Sequence, residues 1–271
     1  MKKLTKNLKL ITLILICFAL GIYSAFIEPN KLIVTHYTIQ DKELSGIKIA
    51  FPTDFHIRPY QAERLEKIVE LVNAENPDII LSSGDYVAGH TKRATMPIED
   101  IAKGLGQMKS KYGFYTVLGN HDSWYGRERL TKVLEQNGIK VLGNESLKLN
   151  INGKTVYLAG VEDMMTGNAD IQKALTETET PTILLSHTPD IFPKVWENVN
   201  LTLAGHTHGG QVRIPLIGPI FTASRYGDKY AKGYIEENGQ RMIVSTGIGA
   251  SIIPIRFNCL PEIVIIEFVN N

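Results

Sequence analysis

The chain has 271 residues, with 44% hydrophobic and 21% charged content and a formal charge of +1. That balance excludes a disordered chain, which would bury too little apolar surface to offset its ordering entropy. Lys2, Lys3, Lys6 and Lys9 contribute +4 of the charge, leaving residues 10–271 at −3 and without the basic face that nucleic-acid binding requires, so no nucleic-acid partner is expected. Cys17 and Cys259 are the only cysteines, so a disulfide framework and a thiolate zinc site are both excluded. Any metal must be held by His, Asp, Asn or Glu.

The basic tip (1–9) precedes 18 consecutive uncharged residues from Leu10 to Ile27. As a helix that run spans about 27 Å, close to the ~30 Å hydrocarbon core of a bilayer. It exceeds the roughly 7–15 residues of a signal-peptide core and lacks a suitably placed small-residue cleavage site, which favours an uncleaved anchor over a cleaved signal. The domain division expected is therefore a tip (1–9), a transmembrane anchor (10–27) and a body (28–271). Lysines before the span place the body outside the cytoplasm at the cell membrane.

Residues 31–39 and 47–53 read as strands rich in β-branched side chains. His36 sits mid-strand and reads as structural. Leu65, Ile68, Val69 and Val72 recur at helical spacing and predict a helix over 60–75, which Asn76-Pro77 ends. Strands at 79–83 and 114–118 alternate with helices at 97–109 and 127–137, the pattern of β-α-β units. Residues 139–161 read as a hairpin about Asn152-Gly153. A short helix near 169–176 and strands at 183–187 and 201–204 follow. The segments 211–214, 229–236, 241–246 and 261–269 are expected to build a second sheet. No repeat or linker interrupts the body.

Every strong apolar strand of the body ends in residues able to bind metal: Asp54 and His56, Asp85, Asn120 and His121, His187, then His206 and His208. In open α/β sheets that carboxyl edge is where sites form. In an extended strand, side chains at i and i+2 share a side, so Asp54/His56 and His206/His208 are each expected to point together, at one centre or two adjacent ones. Five converging tips are hard to explain as helix capping.

Asp54-Phe55-His56, Gly84-Asp85, Gly119-Asn120-His121-Asp122, His187 and Gly205-His206-Thr207-His208 resemble, in order, the five blocks of the calcineurin-like metallophosphoesterases. The resemblance covers residues 47–269. Gly210-Gln211, the stretch from Ser245 through Gly249 to Arg256, and Pro261-Glu262 are similar to a membrane-attached bacterial phosphodiesterase branch. The first block departs from the common pattern in carrying Phe55 and Ile57. The resemblance implies a four-layer α/β/β/α sandwich behind one N-terminal transmembrane helix. It implies that one metal takes Asp54, His56 and His208, a second takes Asn120, His187 and His206, and Asp85 bridges them. It also implies that His121 contacts the phosphate and leaving oxygen, with Asp122 orienting it.

Two divalent ions would share a hydroxide and clamp the phosphate in an in-line displacement. Oxygen and imidazole ligands without thiolate suit Mn²⁺, Fe or Zn²⁺. Arg58, Arg225 and Arg256 are candidate phosphate clamps, although such arginines are more often solvated or ion-paired. The apolar stretch 213–221, with Ile252-Ile253-Pro254, is expected to pack on the second sheet; the alternative is a lip that meets lipid. The functional expectation is a phosphodiesterase or pyrophosphatase on a lipid-linked or cell-envelope substrate. Alternatives are a UDP-2,3-diacylglucosamine-type pyrophosphatase, a broad phosphomonoesterase and a non-catalytic metal-stabilised binding module. An outward-facing body argues against a cytoplasmic nucleotide-sugar lipid.

Overall fold

A computed structural model of the chain describes residues 2–89, 91 and 93–270. Helix α1 (Lys2–Ile22) runs on through a π turn (Tyr23–Ile27) and a 3-10 turn (Glu28–Asn30). The apolar span Asn7–Asn30 is long and hydrophobic enough to cross a membrane, and its most apolar window is not covered by the rest of the protein. The side chains of Lys2, Lys3 and Lys6, expected to face the cytoplasm, lie outside the described residues, as does Met1.

Two mixed sheets follow. The first has the order β1 (Ile33–Gln40), β14 (Glu262–Val269), β2 (Lys48–Phe51), β3 (Ile79–Ser82), β4 (Phe114–Thr116), β5 (Ile139–Val141). The second has the order β12 (Gly233–Glu237), β13 (Gln240–Val244), β9 (Val199–Ala204), β8 (Thr182–Leu185), β7 (Lys154–Gly160), β6 (Glu145–Ile151). A separate ribbon pairs β10 (Arg213–Ile214) with β11 (Gly218–Pro219).

The period of two along each strand sorts its side chains between layers. Ile49, Phe51, Ile79 and Leu81 meet Val156, Leu158, Ile183 and Leu201 in the core between the sheets. Ala50, Ile80 and Ile265 turn the other way, onto Ile68 and Val72 of α2 (Ala62–Ala74), Ile101 and Leu105 of α3 (Ile98–Leu105), and Leu130 and Leu134 of α4 (Asn120–Gln136). On the far face, Leu184 and Met242 pack on Ala174 and Leu175 of α5 (Ile171–Leu175) and on Phe192. The result is the expected α/β/β/α sandwich.

Three expectations need correction. Residues 262–269 belong to the first sheet, where β14 lies between β1 and β2. Its apolar side chains alternate into two different cores, Ile263 and Ile265 to one side and Val264, Ile266 and Phe268 to the other, which only a doubly covered strand can satisfy. Residues 139–141 join the first sheet beside β4, and the hairpin begins at Glu145. Residues 213–214 pair within their own ribbon and not with the second sheet. His36 is exposed and lies 3.2 Å from Glu75 Oε2.

Candidate metal centre

Strands β2, β3 and β4 run parallel, as do β7, β8 and β9, so their carboxyl ends gather at one edge of the sandwich. The chain leaves these ends through Asp54–His56, Asp85, Asn120–His121, His187 and His206–His208. Asp54, His56, Asp85, His187 and His208 are each at most 2% exposed. Fully buried ionisable groups at this density need paired charges or coordinated cations.

The side chains converge on two adjoining points. Ligand atoms of Asp54, His56 and His208 lie within 4.8 Å of one another, as do those of Asp85, His187 and His206. Asp85 Oδ2 is 3.4 Å from His56 Nε2 and 3.5 Å from His187 Nε2, so it stands between the two groups. Asn120 Oδ1 lies 2.9 Å from His187 Nε2. His121 completes a third group with His56 and Asp85.

The imidazole pairings test whether the site suits cations. His56 Nδ1 donates to Val87 O at 3.0 Å and His187 Nδ1 to Ser83 O at 2.8 Å, which leaves both Nε2 lone pairs turned inward. Yet His56 Nε2 faces His208 Nε2 at 3.0 Å, and His187 Nε2 faces His206 Nδ1 at 3.0 Å. Opposed lone pairs repel unless a proton or cation lies between them. Asp54 Oδ2, buried and without a hydrogen-bond partner, adds an orphaned acceptor to the first group. Backbone carbonyls that accept from the outer nitrogen of a ligating histidine are the usual support of a metal site. The donor set fits divalent cations.

Electrostatics point the same way. Burial drives His56 and His208 well below the ordinary imidazole value, and burial with His187 nearby lowers His206 to about 3. These three are held neutral, the form that ligates metal. Burial lowers His187 too, but Asp85, Asp54 and Asp163 outweigh it and raise it to about 9. Burial also raises Asp85 well above the carboxylate range, against the pull of His187.

The backbone at the tips differs from the extended geometry expected. Asp54, His56, Asp85, His206 and His208 all have positive φ, between 42° and 68°. Each i, i+2 pair converges through a left-handed loop, and His206 and His208 go to different groups. Such conformations are strained in side-chain-bearing residues and persist where the surroundings over-determine them. Two glycines let the loops close. A Cβ on Gly205 would lie 2.0 Å from Asp54 Oδ2, and one on Gly119 would lie 2.1 Å from Asp85 Oδ1.

Helix α4 begins at Asn120, not near 127, and breaks at Gly126 (φ 143°). Its first turn was missed because His121 and Asp122 are buried polar residues that hide the apolar period. Asp122 is expected to orient His121. Its carboxylate accepts backbone N–H groups of Asp85 (2.7 Å), Tyr86 (2.8 Å) and Gly119 (3.0 Å), which fixes the backbone from which His121 projects.

His121 donates its backbone N–H to Asp85 Oδ1 at 2.9 Å and sets its Nε2 3.3 Å from Ser251 Oγ, at the rim. The three arginines separate. Arg58 is half-buried, with Nη2 3.5 Å from Ala250 O. Arg225 is exposed beside a pocket of about 550 Å³ that reaches His206. Arg256 is fully buried and spends its N–H groups on the carbonyls of Thr246 (2.7 Å), Gly247 (2.9 Å) and Cys259 (3.1 Å), with Nη2 3.4 Å from His208 Nδ1.

Two contributors escaped the sequence reading. Asp163 is buried after β7 and accepts from Thr188 Oγ1 at 3.1 Å, bracing the loop beside His187. A carboxylate at another strand tip was its signal. Ser251 gave none, being a serine in a turn.

Comparison with known proteins gives consistent findings. The family model for calcineurin-like phosphoesterases matches residues 47–210. The uncharacterized metallophosphoesterase YkuE of Bacillus subtilis is 30% identical over 257 residues, 90% of this chain and 87% of that one. Phosphodiesterase YaeI of Escherichia coli is 30% identical over 258 residues, 91% of this chain and 92% of the relative. A crystal structure of a putative 5'-nucleotidase from Staphylococcus aureus shares the fold at 10% identity, with a TM-score of 0.51 over 83% of this chain. This chain spans 55% of that nucleotidase.

Proposed function

The chain belongs to the calcineurin-like phosphoesterase family and is a metal-dependent hydrolase of phosphoesters, and from that premise we propose a dinuclear phosphodiesterase or pyrophosphatase. One observation carries the dinuclear reading: the Asp85 carboxylate stands 3.4 and 3.5 Å from inward-facing nitrogens of two separate ligand groups. Asp54, His56 and His208 would hold one cation, and Asn120, His187 and His206 would hold the other. Asp85 would serve both. Mn²⁺, Fe and Zn²⁺ all suit this nitrogen and oxygen set. When bound, two such ions supply a hydroxide at neutral pH and a double clamp on the phosphate.

The protein's own residues do the rest. Fully buried imidazoles and carboxylates exclude water from all but the rim, so charges inside act through a low dielectric. His121 stands at that rim beside Ser251, where it contacts the phosphate and delivers a proton to the leaving oxygen. Asp122 holds the Asp85 and His121 segments together. Arg256 positions the loop carrying Gly247 and Gly249 and backs His208; it has no donor left for a phosphate clamp. Arg58 and Arg225 remain within reach of a substrate arm.

The diester preference is supported by the phosphodiesterase named among the relatives. The domain division into anchor (10–27) and one catalytic body (28–271) is supported by cores that the two sheets share. The lysines before the span favour a body outside the cytoplasm, facing a lipid-linked or cell-envelope substrate. The full chain in detergent, given Mn²⁺, is expected to hydrolyse bis-p-nitrophenyl phosphate faster than p-nitrophenyl phosphate and to lose both activities with chelator. A preference for the monoester would overturn the diesterase reading.

A further inference from the structure

The sharpest departure from ordinary surface chemistry lies beside the metal centre. Leu216, Ile217, Ile220 and Phe221 on the β10–β11 ribbon and Ile252 and Ile253 on the neighbouring loop are all exposed, Leu216 completely and Ile252 at 83%. The loop expected to pack on the second sheet does not. Leu216 and Ile252 even adopt positive φ (68° and 53°), an outlier conformation for bulky side chains, with the side chain held out into solvent.

The two loops form one platform. Arg213 N–H donates to Phe257 O and Phe257 N–H donates to Gln211 O, both at 2.9 Å, and Gln211 Nε2 donates to Ser251 O at 3.3 Å. Gln211 follows His208 by three residues, and Phe221 lines the pocket that reaches His206. The platform therefore forms one wall of the approach to the site.

The backbone fixes where that platform stands. Arg256 N–H donates to Ser24 O at 2.9 Å, and Glu28, buried at the end of the same helix, accepts from Cys259 N–H at 2.6 Å. Ser24 lies inside the apolar span Asn7–Asn30. The loop bearing Ile252 and Ile253 is thus bonded to the last turns of the helix that would cross the bilayer. Isolated exposed apolar residues need no explanation, but six on two hydrogen-bonded loops do.

We propose that Leu216, Ile217, Ile220, Phe221, Ile252 and Ile253 insert into the bilayer surface from which the N-terminal helix emerges, so that the mouth of the metal centre opens at the lipid headgroups. The occupant is the membrane itself. This reading rests on the helix being a membrane span and not on the nature of the phosphoester. It makes a lipid headgroup phosphate the nearest substrate, because such a group sits at the depth of the cleft without leaving the bilayer.

The test uses the full chain in vesicles of phosphatidylcholine and phosphatidylglycerol, with a polarity-sensitive dye on a single exposed cysteine. Native Cys17, exposed on α1, reports the span; Cys259 is buried. Ile217→Cys and Ile252→Cys, each with Cys17→Ser, report the platform. Glu177→Cys in the same background reports the opposite edge, since it precedes β8 while the site follows that strand. Lipid-borne nitroxides should quench Cys17 and both platform dyes roughly twofold or more, matching insertion by about 5–10 Å, and spare position 177. Quenching at Cys17 with platform dyes no more quenched than position 177 overturns the proposal and leaves the span standing. A platform dye that shifts to the blue without lipid quenching means a second copy covers the patch, and also overturns it. Absence of quenching at Cys17 refutes the span and the platform together.

Discussion

The metal centre and the neighbouring platform invert the usual rule of burial in opposite directions. At the strand tips, Asp54, Asp85 and five histidines are packed inside the protein; on the platform, six large apolar side chains stand outside it. Neither arrangement is stable by itself. Buried charge asks for cations, and exposed hydrocarbon asks for another apolar phase. The two regions share residues 205–221 and 245–257, so a few turns of chain carry both demands. A region that breaks the burial rule marks the ligand that restores it.

The largest break of this comparison comes from Asp85. Asp85→Ala removes the carboxylate that, among the described residues, stands between both ligand groups, and turnover is expected to fall on the order of 10²–10³-fold or more, the scale of losing a preorganised charge clamp. Metal content, measured by inductively coupled plasma mass spectrometry, should fall with it. His121→Ala separates chemistry from binding: kcat should drop by about 10²–10⁴-fold while the metals stay. Loss of metal in that variant would make His121 a ligand.

Smaller effects sharpen the picture. Gly205→Ala changes no charge, yet its Cβ would stand 2.0 Å from Asp54 Oδ2, so metal affinity should weaken about 10–100-fold, as when a ligand's support is disturbed. Arg256→Met should lower unfolding free energy by about 3 kcal/mol in urea titrations, because carbonyls of Thr246, Gly247 and Cys259 lose their donors at about 1–3 kcal/mol per buried group. Arg256→Lys should recover only part, since one ammonium cannot span the same carbonyls. Ile217→Ser should leave stability within about 0.5 kcal/mol, because an exposed side chain contributes little to the folded state. A larger loss would mean the ribbon packs on the body after all.

Much of this was legible in the chain. Apolar runs such as Ile79-Ile80-Leu81 and Ile183-Leu184-Leu185 announce doubly covered strands, and the polar residues that end them announce the edge where the site forms. The residues that gather there are readable from the chain because strand ends of parallel units must meet. Three things were not legible. The placement of β14 depends on pairing across more than 200 residues, which local period cannot encode. The left-handed turns at Asp54, His56, His206 and His208 come from tertiary packing against glycines, whereas an i, i+2 rule assumes extended backbone. The burial of Arg256 follows from a loop folding over it, and a lone arginine in sequence looks the same whether it faces water or the carbonyls of Thr246, Gly247, Gly249, Cys259 and Leu260.

The central claim is that one carboxylate joins two cation sites, and electron paramagnetic resonance of the Mn²⁺-loaded full chain tests it most directly. The account predicts two Mn²⁺ per chain with an exchange-coupled spectrum, which Asp85→Ala converts to that of isolated ions. A single Mn²⁺ per chain with an uncoupled spectrum in the unaltered protein would contradict it.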